Sequence, residues 1–157
     1  MATEIERKFL LANDGWRGLG QGLPYCQGYL CSGVGRTVRV RTAADRGYLT
    51  IKGPTQGFSR SEYEYLIPLG EARELLDSLC MKPLIEKIRF RIDFAGFIWE
   101  IDEFKGENHG LVVAEIELEY PEQKFVMPPW IGQEVTDDPR YRNSSLALNP
   151  YRNWSGG

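Results

Sequence analysis

Ionisable side chains recur at alternate positions through most of the chain: Glu4, Glu6 and Lys8; Arg39 and Arg41; Lys52; Arg60, Glu62 and Glu64; Lys87, Arg89 and Arg91; Glu100 and Asp102; Glu115, Glu117 and Glu119. The two signs suit different halves of one task. Lysine and arginine donate charge-assisted hydrogen bonds to phosphate oxygens, and arginine can do so bidentately. Carboxylates would repel a phosphate, but they hold hard divalent cations such as Mg²⁺ or Mn²⁺, which bridge to its oxygens. A single surface carrying both kinds is suited to a metal–polyphosphate complex.

The spacing of two says which elements carry these groups, because alternate side chains of a strand share a face. Eight strands are expected at about 3–11, 25–31, 36–43, 47–53, 58–67, 84–94, 97–104 and 112–120, rich in β-branched and aromatic residues. Turn signals separate them: Ser32 to Gly35, Asp45-Arg46-Gly47, Gly53 to Gly57, Ala95-Gly96 and Lys105 to Gly110. Most of these are hairpin-length, so neighbouring strands should pair antiparallel. One helix is expected over about 70–81, with Leu69, Ala72, Leu75, Leu76, Leu79 and Cys80 on one face and Pro83 beyond it. Two short helical pieces should follow the last strand, the first opened by Asp138-Pro139, with Leu146 and Ala147 packing inward. Gly15 to Gly22 reads as a long mobile loop and Trp154 to Gly157 as a frayed tail.

Two arrangements accommodate the alternation. In the ordinary one the apolar face forms the core and the charged face meets water. In the other, eight strands close into a barrel, charges line a wet lumen, and the apolar outer face is covered by the helix and the C-terminal segments. The composition of the polar face favours the second. It has few Ser, Thr, Asn or Gln and similar numbers of carboxylates and cations, a restriction that plain solvation does not impose. The fold class expected is therefore mainly β (α+β), an eight-stranded antiparallel β-barrel with a charged lumen and a few covering helices.

At 157 residues, with 42% hydrophobic and 26% charged residues, the chain suits a single domain over 1–157 with its core at about 3–148. The net charge of −3 argues against a basic surface for nucleic acid. No apolar run follows a basic start, so neither a signal peptide nor a membrane span is expected and the cytoplasm is the expected compartment. Cys26, Cys31 and Cys80 form no C-x-x-C pair, and the lone His109 offers no second imidazole for a zinc site.

The opening Glu4-Ile5-Glu6-Arg7-Lys8-Phe9-Leu10 resembles the E-x-E-x-K signature of the CYTH proteins, the triphosphate tunnel metalloenzymes. Further segments follow in the family's order: Gln27-Gly28-Tyr29-Leu30, Arg39-Val40-Arg41, Thr50-Ile51-Lys52, Ser59-Arg60 with Glu62-Tyr63-Glu64, Glu86-Lys87 with Arg89, Glu100-Ile101-Asp102, Glu115-Ile116-Glu117, Glu134-Val135-Thr136 and Tyr141-Arg142-Asn143. The resemblance implies a tunnel that binds triphosphate through Lys8, Arg39, Arg41, Lys52, Arg60, Lys87 and Arg89. It implies two divalent ions, Mg²⁺ or Mn²⁺, served by Glu4, Glu6, Asp102, Glu115 and Glu117, with Glu62 and Glu64 assisting a metal or orienting cations. Lys87 and Tyr29 match residues that act near the attacked phosphorus. Arg91 and Glu119 fit tunnel mouths equally well, and Tyr29 fits an ordinary strand aromatic. Trp130 reads as a hydrophobic anchor and His109 as exposed.

Within the family the same tunnel serves inorganic triphosphatases, thiamine triphosphatases, class IV adenylate cyclases and RNA triphosphatases. The tight loops at 32–35 and 44–47, and the lack of any inserted segment for an organic moiety, point to inorganic tripolyphosphate, hydrolysed to pyrophosphate and phosphate. The runner-up is cyclisation of ATP to cyclic AMP, and from another class a non-catalytic polyphosphate-binding module. Homodimers occur among relatives. Arg142 stands where relatives often have lysine, so contacts from the C-terminal helix to the tunnel are expected to differ.

Overall fold

The structure, a computed structural model, describes residues 3–154 apart from 34, 55 and 58. Its elements run β1 (Thr3–Leu11), β2 (Gly22–Gly33), β3 (Arg36–Ala43), β4 (Arg46–Lys52), β5 (Ser59–Ile67), α1 (Leu69–Ser78), β6 (Ile85–Phe94), β7 (Phe97–Phe104), β8 (Val112–Glu117), β9 (Ile131–Glu134) and α2 (Asn143–Leu148). Single 3-10 turns lie at Gly106–Asn108, Pro139–Tyr141 and Tyr151–Asn153. The tail beyond Trp154 falls outside the described residues.

The strands join in the order β5-β4-β3-β2-β6-β7-β8-β1, and β1 closes back onto β5 through Thr3 with Ser61, Glu4 with Arg60 and Ile5 with Ser59. All of these pairings are antiparallel, and closure removes the free edges of the sheet. β9 was not foreseen. It adds to the end of β1 through Phe9 with Glu134 and Leu11 with Ile131, and the Arg7 guanidinium reaches the Glu134 carboxylate at 2.6 Å.

Two of the boundaries that move, the start of β2 and the end of β8, do so for physical reasons. β2 begins at Gly22, opposite Phe90, where a Cβ would lie 2.7 Å from the Phe90 ring and from Ile88. The preceding segment is not the mobile loop anticipated, because Trp16 is 1% exposed and packs edge-on to Phe90 with ring centroids 5.1 Å apart. β8 stops at Glu117, where Leu118 N–H already donates to the Ile5 carbonyl and Glu119 N–H turns to the Gln123 side chain.

The apolar core lies outside the barrel wall. Phe9, Ile92, Trp99, Ile101, Ala114 and Ile116 are buried beneath Trp16 and Trp130, with Phe125 packed against them. Trp130 is thus the anchor expected of it. On the opposite flank Ala72, Leu76 and Cys80 press onto Val40, while Leu79, foreseen on the packed face, is exposed just past the end of α1. α2 buries Leu146 and Ala147. They join a third cluster with Tyr29, Ile85, Phe104, Leu111 and Val113. Trp154 packs on Tyr141 and Tyr151 at centroid distances of 5.1 and 5.0 Å instead of fraying.

Candidate active site in the barrel lumen

The side chains at the charged positions point inward and line two adjoining cavities. One is bounded by Glu4, Glu6, Lys8, Tyr29, Thr37, Arg39, Lys52, Arg60, Thr136, Arg142, Asn143 and Ser144. The other is bounded by Glu4, Glu6, Arg39, Arg41, Lys52, Glu62, Glu64, Lys87, Arg89, Glu100, Glu115 and Glu117. Every site residue expected from the sequence lies in one or both except Asp102, which sits behind Lys87 and Arg89. Arg91 and Glu119 lie at an open end with Glu100 and Glu117.

Taking an ion out of water costs several kcal/mol even after relaxation, and the lumen offsets that cost by pairing. Lys52 Nζ lies 3.0 Å from Glu4 and 3.3 Å from Glu62. Lys8 Nζ lies 3.5 Å from Glu115 and donates to the Tyr141 carbonyl at 3.0 Å. Asp102, 1% exposed, accepts from Arg89 Nε at 2.7 Å, from Arg89 Nη2 at 2.8 Å and from Lys87 Nζ at 2.8 Å. Glu64 accepts from Arg41 at 3.2 Å and from the Thr50 hydroxyl at 2.8 Å, with Arg39 at 3.7 Å.

Titration follows from these contacts. Burial alone would raise the Asp102 carboxyl, but Arg89 and Lys87 overcome it and hold the group well below the usual carboxylate range. Glu115 is likewise held at about 2, by Lys8 and then Arg89 against burial. Burial pushes the Lys87 ammonium down to about 8 even though Asp102 pulls it upward. Glu6 behaves oppositely to Glu115. Burial first, then repulsion from Glu115 and Glu4, pushes it up to about 8. Glu117 is raised by burial and by Glu4, Glu62 and Glu100.

That second group of carboxylates fits a divalent cation. It offers only hard oxygen donors, and its mutual repulsion is what a cation would relieve. Among the described residues no three acidic side chains are already arranged around a shared metal position, in keeping with Lys52 occupying Glu4 and Glu62. Asp102, expected among the residues that serve the metals, has both its oxygens engaged by Lys87 and Arg89. Of the two roles open to Glu64, its contacts are those of a group that orients Arg39 and Arg41.

Sequence reasoning missed several lumen contributors. Asn143 Oδ1 accepts from Lys87 Nζ at 3.1 Å, and the buried Gln27 Nε2 donates to the Tyr29 hydroxyl at 3.2 Å. Thr37, Thr50 and Thr136 carry no charge to mark them. Gln27 could have been found by parity, because it shares a face with Tyr29.

A family model described as the CYTH domain matches residues 2–147. The chain belongs to the CYTH family. An inorganic triphosphatase of Acetivibrio thermocellus is 54% identical to this CYTH protein over 154 residues, 98% of this chain and 99% of the relative. An inorganic triphosphatase of Nitrosomonas europaea is 37% identical over 153 residues, 94% of this chain and 98% of the relative. A crystal structure of an inorganic triphosphatase superimposes on the CYTH barrel with a TM-score of 0.68 at 34% identity, covering 94% of this chain and 96% of that one.

Proposed function

We propose that this CYTH protein hydrolyses inorganic triphosphate to pyrophosphate and phosphate within its lumen, with divalent-metal dependence. The observation that carries the reading is the segregated pairing of the lumen. One set of cations is held in place by Asp102 and Glu64, while a second set of carboxylates remains mutually repelled. The near-full-length likeness to inorganic triphosphatases supports the same substrate.

Lys8, Arg39, Arg41, Lys52, Arg60 and Arg89 grip the phosphate oxygens, and their fixed positions stabilise the charge that builds on the leaving pyrophosphate. Mg²⁺ or Mn²⁺, two ions in all, held by Glu4, Glu6, Glu62, Glu115 and Glu117, would supply charge neutralisation and water activation when bound. Binding there requires Lys52 to leave Glu4 and Glu62, and phosphate offers it the new partner. Lys87 is the group fitted to move a proton. Its two hydrogen bonds, to Asp102 and Asn143, persist in the neutral amine, and near its pKa of about 8 the remaining lone pair can take a proton from water attacking the terminal phosphorus. The Tyr29 hydroxyl accepts from Gln27, which leaves its own O–H to donate to a phosphate oxygen in the lumen.

The test is product analysis with tripolyphosphate, ATP and thiamine triphosphate, each with Mg²⁺, Mn²⁺ or EDTA. Phosphate and pyrophosphate should accumulate from tripolyphosphate, and EDTA should stop it. Cyclic AMP from ATP, or no turnover of tripolyphosphate, would overturn the reading.

A further inference from the structure

The two ends of the tunnel are electrostatically different. Cavities that share walls run from one end to the other. A vestibule lined by Ser32, Gly33, Arg36, Gly53, Pro54 and Ser145 shares Thr37, Arg60, Arg142 and Ser144 with the first lumen cavity. The two lumen cavities share Glu4, Glu6, Arg39 and Lys52. The second opens through Glu100 and Glu117 toward Glu119 and Arg91 at the far end. Among the described residues, the vestibule wall carries three arginines and no carboxylate, whereas the far mouth carries three glutamates and one arginine.

The vestibule arginines are also electrostatically unspent. Lys8, Arg39, Arg41, Lys52, Lys87 and Arg89 each have a carboxylate within 4 Å. Among the described residues, Arg36, Arg60 and Arg142 have none, and Arg60 Nε is buried without a hydrogen-bond partner. The vestibule volume is about 470 Å³, against about 80 and about 180 Å³ for the two lumen cavities, so it can admit an anion that still carries part of its hydration shell.

We propose that this cation-only vestibule is an anion-capture site, through which a linear phosphate anion enters the tunnel, with Arg36 a specificity-determining residue that touches it before the lumen does. The inference rests on the triphosphate reading and adds a direction to it. A cleft of one charge sign concentrates oppositely charged ligands and raises association rates about 10- to 1,000-fold, falling with salt. Substitution of a rim charge changes the on-rate and its salt dependence. The attraction acts on phosphate charge, so the capture advantage should extend to any short inorganic phosphate chain.

The experiment compares wild type, Arg36→Ala, Arg36→Glu and, at the opposite mouth, Glu119→Gln. Each is assayed for tripolyphosphate turnover across ionic strengths, and for equilibrium tripolyphosphate binding by calorimetry in EDTA. Arg36 is exposed and outside the lumen, so thermal stability should be unchanged, and a melting curve for each variant checks it. The expected result is that Arg36→Glu raises KM about tenfold or more with kcat within about twofold, weakens binding in parallel and flattens the salt dependence. Arg36→Ala falls between, and Glu119→Gln leaves all three readouts unchanged. An Arg36→Glu variant with wild-type KM, binding and salt slope would overturn the capture site, as would an equal effect of Glu119→Gln. If wild type binds tripolyphosphate without hydrolysing it and Arg36→Glu still weakens that binding, the capture site stands and the hydrolase reading falls.

Discussion

Glu6 and Glu115 show how far placement decides the chemistry of one residue type. Both sit on the inner face, yet Lys8 and Arg89 hold Glu115 at about 2 while burial and two neighbouring carboxylates drive Glu6 to about 8. In the unfolded chain Glu6 ionises near 4.5, so between those values the folded protein holds a proton that the unfolded chain has lost. The stabilisation this gives is fully present below about 4.5 and disappears as pH rises through about 8. Melting temperatures of metal-free protein should therefore fall more steeply from pH 5 to pH 8 in wild type than in Glu6→Gln. Parallel curves would show that Glu6 is not perturbed. The charge of each of these residues, and its face, was legible from alternation alone. Their divergence was not, because it depends on which cation reaches across the lumen, as Lys8 reaches Glu115.

The elements most visible in the sequence were those whose pattern is local. Alternation over Val38–Arg41 and Trp99–Asp102, bounded by turn signals, gave β3 and β7 their observed limits. β9 has only four residues, Ile131-Gly132-Gln133-Glu134, too few for a periodicity, and its pairing with β1 is set by a contact more than 120 residues away. The apolar cluster beneath α2 was legible in principle. Ile85, Phe104 and Val113 share the parity of Lys87, Asp102 and Glu115, so the inner face changes character at the level where Leu146 and Ala147 of α2 pack against it. The covering helix is held by close approach at one point: a Cβ at Gly47 would lie 2.7 Å from Ala72 Cβ and 3.1 Å from the Ile67 carbonyl. Gly47→Ala should push α1 from β4 and cost about 1–3 kcal/mol, lowering the melting temperature by about 2–4 °C per kcal/mol. An unchanged melting temperature would mean that the helix rests on the barrel without that contact.

At the scale of the whole molecule the arrangement is a barrel with its core outside and its ions inside. Phe9, Trp99 and Ile116 supply the hydrophobic stabilisation from the outer wall, which leaves the lumen free to hold groups that no ordinary core would tolerate. That inversion could be inferred from the sequence because the polar face carried so few neutral side chains. The contribution of the C-terminal segment came only from the family resemblance and not from alternation, since Thr136, Arg142 and Asn143 reach the lumen from turns and a short helix that have no strand parity. Among the described residues no helix is long and apolar enough to cross a membrane. The central claim is that this lumen, through its clustered carboxylates, carries out metal-dependent triphosphate hydrolysis. The most direct measurement is phosphate release from tripolyphosphate with Mg²⁺ by wild type and Glu117→Gln side by side. The expected result is turnover by wild type that EDTA abolishes, and a loss of about 100-fold or more in the variant. Full metal-dependent turnover by Glu117→Gln would contradict it.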